Sequence, residues 1–168
     1  MTALVRFRLD DAAAAEIDGL RARAAVTGAT VPTDRPALTA AAAVAVPAPA
    51  RDALEDELRV LALPWVWLAT LGRPAVVDAE LLAVHAAVHD ALAGRVRGPV
   101  AAYLPGAWLP HCVLAVSRPA EAFAALHPVE PVRARIVGVE VSDPQEGAAT
   151  PATPATRTPG RRARGRRV

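Results

Sequence analysis

Residues 2–9 alternate, with Leu4, Arg6 and Arg8 on one parity and Val5, Phe7 and Leu9 on the other. That period of two predicts a half-buried strand. Asp10 and Asp11 supply an N-cap, and residues 12–26 follow as a helix with Ile17, Leu20 and Ala24 on one face. Gly28 ends it. Residues 36–46 are small and apolar and predict a strand, broken by prolines over residues 47–50. Residues 51–62 carry Leu54, Leu58 and Leu61 at helical spacing, and Pro64 stops them. Residues 65–71 read as a strand, Gly72-Arg73-Pro74 as a turn, and residues 75–77 as the return arm of a hairpin. Residues 78–93 give the broadest helical face, with Leu81, Leu82, Val84, Val88 and Leu92, closed by Gly94. Residues 100–104 and 110–116 read as strands joined through Pro105-Gly106, residues 119–126 as a short helix, and residues 131–141 as a final strand.

The pattern stops at Asp143. Pro-Ala-Thr recurs at 151–153 and 154–156, and arginines follow. Such a segment cannot bury a core, so residues 143–168 are predicted to be a disordered tail behind a domain of residues 1–142.

Composition changes the picture in three ways. The chain has 168 residues, of which 53% are hydrophobic, enough for one domain or two small lobes with a shared core. Its net charge of +2 is unevenly placed: the tail holds six arginines against two acids, so the body is mildly acidic. Cys112 is the only cysteine, which excludes an intrachain disulfide. Arg6, Arg8, Asp10 and Asp11 interrupt any leader-like start, and the uncharged run 36–50 is proline-broken and short for a bilayer. The expectation is a soluble, cytoplasmic monomer with no membrane partner.

Two stretches carry the candidate chemistry. Arg35-Pro36-Ala37-Leu38-Thr39-Ala40 and Leu109-Pro110-His111-Cys112-Val113-Leu114 share one layout: proline, key residue, any residue, second key residue. The first keeps a hydroxyl at Thr39 but has Ala37 where a histidine would stand. The second keeps His111 but has Val113 in place of a hydroxyl. Paired His-x-Thr/Ser motifs, with this order of strands and helices, resemble the two-histidine phosphoesterases, which include the 2'-5' RNA ligases and RNA 2',3'-cyclic phosphodiesterases.

The resemblance covers residues 1–142. It implies an α+β fold of two pseudo-symmetric antiparallel-sheet lobes with flanking helices around a central cleft. It also implies metal-free chemistry with no cofactor. One imidazole takes a proton from water and another protonates the leaving oxygen, which suits a group with a near-neutral pKa. Hydroxyls two residues on lie on the same strand face and hold the phosphate. Here the resemblance assigns His111 as the catalytic residue and Thr39 as a phosphate contact. Trp108 stands at the cleft rim, where it would stack on a base. With two of four groups missing, it implies weak or lost catalysis and binding of an RNA end or small nucleotide. Arg35 is the nearest ionisable residue to the gap, but a guanidinium is no general base near neutral pH.

Other features have ordinary readings. His85 and His89 share a helix face at i, i+4, but no third ligand accompanies them, so no metal is expected. His127 reads as a loop residue and Cys112 as a buried, inert thiol facing away from His111. Trp65 and Trp67 read as core or lobe-interface residues. The arginine tail reads as mostly solvated, while offering nucleic acid phosphates a cationic contact.

Overall fold

The computed structural model describes residues 2–68, 78–128 and 130–142. The hairpin expected after residue 68 and the tail from Asp143 lie outside these residues. Within them the fold is α+β, with four α-helices and one five-stranded antiparallel sheet.

The first strand, β1 (Ala3–Leu9), follows its alternation: Ala3, Val5, Phe7 and Leu9 are fully buried. Asp10 then caps α1 (Asp11–Ala25) by accepting from the Ala13 amide at 3.1 Å. Its second carboxylate oxygen accepts from the Arg135 amide at 2.6 Å, tying the helix start to the sheet. These backbone donors, Arg135 first, hold the Asp10 carboxyl below its ordinary pKa.

β2 (Ala37–Ala45) returns alongside β1, pairing Phe7 with Leu38 and Arg6 with Thr39. The register shifts between Val5 and Arg6, which leaves Ala40 as the extra residue of a bulge. α2 (Ala48–Val60) begins three residues before the expected start, because Pro47 sits at its N-cap and Pro49 in its first turn. Proline is tolerated there, where the missing N–H has no helical partner anyway.

β3 (Trp65–Leu68) is followed by α3 (Ala79–Leu92), whose Asp78 cap accepts from the Leu81 amide at 2.8 Å. A three-residue strand that periodicity does not reveal, β4 (Arg97–Pro99), pairs with the end of β2. The expected strand over 100–104 is instead a 3₁₀ turn, Ala101–Tyr103, closed by Tyr103 N–H donating to the Val100 carbonyl. α4 (Pro119–Leu126) and β5 (Val132–Ser142) occur where the pattern places them.

The strand order is β3-β5-β1-β2-β4. β5 pairs β3 through residues 132–135 and β1 through residues 136–142, so one long strand carries the sheet around its curve. Core residues of α1, α2 and α3 (Ile17, Leu54, Val84 and Val88) pack with Phe7, Val5 and Ile136 on one side of the sheet. α4 packs instead on α1, through Ala24, Ala122 and Leu126. Among the described residues the helices pack on this one side, and Arg6, Thr39 and Glu140 stand on the opposite face.

Two expectations about burial also change. Trp65 and Trp67 are not core residues: each is 47% exposed. Spacing puts Leu82 on the apolar face of its helix, yet it is half exposed, while His85 takes a buried position. No helix among the described residues is long and apolar enough to cross a membrane.

Candidate functional site

Strand parity builds the site. Val5 and Phe7 point into the core, so Arg6 points to the helix-free face, and its cross-strand partners are Thr39 on β2 and Glu140 on β5. A polar row, Glu140–Arg6–Thr39, therefore crosses three strands. The Arg6 guanidinium is paired with the Asp34 carboxylate, and donates at 2.8 Å each to Glu140 and to the Ser142 hydroxyl. Its Nε is buried without a partner. One cation against two carboxylates leaves the row net acidic, so an incoming phosphate must displace Asp34 or Glu140 from Arg6.

The second half-motif is not a strand. Residues 108–115 run beside β2 as irregular chain, and the contacts come from side chains. The Trp108 indole N–H donates to the Thr39 carbonyl at 2.8 Å. The Cys112 thiol lies against the Ala37 backbone. These two contacts set the segments side by side in opposite directions. Pro110 lacks an amide for a ladder, and the backbone groups around it are used elsewhere. The Val113 carbonyl accepts from Arg21 Nε at 3.1 Å, and the Val116 amide donates to the Thr30 carbonyl at 2.8 Å.

Arg21 is the anchor that sequence reasoning missed. It is 5% exposed, and it also donates to the Asp34 carbonyl at 2.6 Å and to Asp18 at 3.3 Å. One guanidinium thus joins α1, the loop that presents Asp34, and the second motif. Its only sequence signal is its place three to four residues from Ile17 and Ala24 on the buried face of α1.

His111 is exposed, and its Nδ1 lies 2.8 Å from the Leu109 carbonyl. A carbonyl only accepts, so Nδ1 carries the proton, and in the neutral ring Nε2 keeps its lone pair. Cys112, its neighbour, is half buried and packs against the core. Burial pushes its thiol pKa up, against a smaller downward pull from Arg21.

Trp108 is half buried. His85 stacks on it with centroids 3.8 Å apart and planes 1° from parallel, and Phe7 meets it at 70°. With its N–H committed to Thr39 and one ring face covered, at most the other face is left to meet a ligand. His85 Nε2 donates to the Ala40 and Tyr103 carbonyls at 3.0 Å each, and His89 Nε2 donates to Ala40 at 3.2 Å. Both histidines thus use Nε2 to cap the bulged carbonyl. No group of three or more His, Cys, Asp or Glu side chains among the described residues is arranged to hold a metal. Arg35, next to the gap at Ala37, is engaged with the Leu9 carbonyl and Asp11.

The structure thus brings Trp108 to Thr39 and Cys112 to Ala37, and leaves His111 at the surface of the same segment. The chain matches no protein-family model, and no curated protein is significantly similar to it.

Proposed function

We propose that the chain is a diverged relative of the 2'-5' RNA ligases and cyclic phosphodiesterases that binds an RNA end or nucleotide phosphate with little or no turnover. In this reading two lobes flank a cleft, and Thr39 and His111 are the polar groups left to line it. Trp108 would meet a base through the ring face turned away from His85. The observation that carries the reading is the antiparallel run of the two half-motifs, held by Trp108 on Thr39 and Cys112 on Ala37.

The chemistry fits binding better than turnover. His111 keeps a lone pair on Nε2 and serves as a single acid/base group. Ala37 supplies no second imidazole for the leaving oxygen, and positioned proton transfer is worth roughly 10²–10⁴-fold. Val113 gives no hydroxyl to the phosphate, and Arg6 is already paired with two carboxylates.

The test compares wild type, His111→Ala and the restored Ala37→His/Val113→Thr variant on 2',3'-cyclic nucleotides and an RNA ending in a cyclic phosphate. The expected result is a silent wild type that binds the nucleotide, and measurable hydrolysis by the restored variant. Wild-type turnover abolished by His111→Ala would instead mark a working enzyme with one histidine. No binding by the wild type and no activity in the restored variant would overturn the reading.

A further inference from the structure

At the far end of the helix-free face, β3 and β5 form a block of two tryptophans and two arginines. Trp65 pairs in register with Arg135, and Trp67 with Arg133. The intervening pair, Val66 and Ala134, is buried, so parity turns all four larger side chains outward together. Trp65 and Trp67 are each 47% exposed, and both arginines are exposed. The Arg133 guanidinium lies 4.3 Å from the Trp65 ring centroid and 5.8 Å from that of Trp67. It thus reaches both indoles as a cation beside their rings.

A pair of exposed tryptophans on a sheet presents large apolar rings to water. Among the described residues no carboxylate pairs with Arg133, Arg135 or the neighbouring Arg8 of β1. The block is therefore aromatic and cationic at once, unlike the Arg6 row, where two carboxylates neutralise the guanidinium.

We propose that this Trp65–Trp67–Arg133–Arg135 block is a stacking platform for single-stranded nucleic acid. Indole and guanidinium planes stack on any unpaired base, and arginines supply the charge that attracts its phosphates. Flat aromatics with free cations favour this occupant over a second protein, whose apolar patch would gain little from two unpaired arginines. The proposal does not depend on Thr39 or His111: the block lies on other strands and needs no terminal phosphate.

The test is fluorescence-anisotropy titration of the full chain with an unstructured ten-nucleotide RNA, the same sequence as DNA, and an abasic strand of equal length. The abasic strand separates stacking from phosphate attraction by the arginine-rich tail, which needs no bases. Expected are binding of RNA or DNA, at least ten-fold weaker binding of the abasic strand, and quenching of tryptophan emission. Trp65→Ala and Trp67→Ala each weaken binding roughly ten-fold, while the Trp65→Phe/Trp67→Phe variant retains most of it. Arg133→Ala weakens it and flattens the salt dependence. Circular dichroism confirms that each variant is folded. Equal affinity for the abasic strand, or unchanged affinity in the folded Trp65→Ala/Trp67→Ala variant, overturns the proposal. So does self-association that these substitutions abolish without any nucleic acid binding.

Discussion

The imidazole of His85 lies flat on the indole of Trp108, 3.8 Å between centroids, while its Nε2–H is shared between the carbonyls of Ala40 and Tyr103. This stack joins α3 to the second motif. Burial, with His89 adding to it, lowers the His85 pKa; the two carbonyls oppose the shift. A histidine whose folded pKa is depressed stabilises the fold above its unfolded pKa, near 6.5. That contribution is lost as the pH falls toward the lower folded value. The melting temperature should therefore drop between pH 7 and pH 5, and the drop should shrink in His85→Gln. A midpoint that rises on acidification, or an unchanged slope in His85→Gln, would show that His85 does not carry the effect.

Replacing Trp108 separates its ring from its N–H. Trp108→Phe keeps stacking but frees the Thr39 carbonyl, at a cost of about 1 kcal/mol. Trp108→Ala also opens a hole beside His85 and Phe7 and costs about 2 kcal/mol, less than for a fully buried indole. Urea unfolding of both variants checks the order. Equal stability of Trp108→Phe and wild type would mean that the bond to Thr39 adds nothing.

Arg21 holds three chain segments with one guanidinium, so its loss strands the Val113 and Asp34 carbonyls. Arg21→Ala should cost roughly 3 kcal/mol. Arg21→Lys recovers only part of it, because a single ammonium cannot reproduce the fork. Hydrogen exchange should quicken at Val116, whose amide bonds to the Thr30 carbonyl beside this loop. Protection that survives Arg21→Ala would show that the segment is held by something else.

Cys112 should react slowly with a thiol reagent at neutral pH, since burial disfavours its thiolate. Unfolding in urea should raise the labelling rate by at least ten-fold, and Arg21→Ala should raise it by loosening the segment. Labelling of the native protein at the rate of a free thiol would contradict the burial of Cys112.

Much of the fold was legible because its long elements obey their periods. β1, α1, α3, α4 and β5 follow alternation or helical spacing to within a residue or so. Residues 100–104 and 110–116 read as strands because they are largely apolar, yet the first holds a 3₁₀ turn and the second is irregular. What decides them is where their backbone donors and acceptors go, and that depends on partners far along the chain, such as Arg21 and Thr39. The candidate site was half legible. Thr39, His111 and Trp108 stand in the paired half-motifs, but the Arg6 row is visible only once β1, β2 and β5 are placed in register. The core reading of Trp65 and Trp67 fails for a different reason. Large apolar residues suggest a core, yet parity beside Val66 turns them outward.

The side chains gathered on β2 also decide how this sheet meets other molecules. The Thr39, Ala40 and Ala42 carbonyls receive Trp108, His85 with His89, and the Val100 amide, all from outside the β1 ladder. β4 covers the rest of that border with three residues, one of them Pro99, which has no N–H to offer. A strand from another chain finds these acceptors already taken, so this border resists the edge-to-edge pairing that leads to domain exchange and fibrils. The helices and the second motif thereby act as the gatekeepers of a small-residue strand that would otherwise be prone to aggregate.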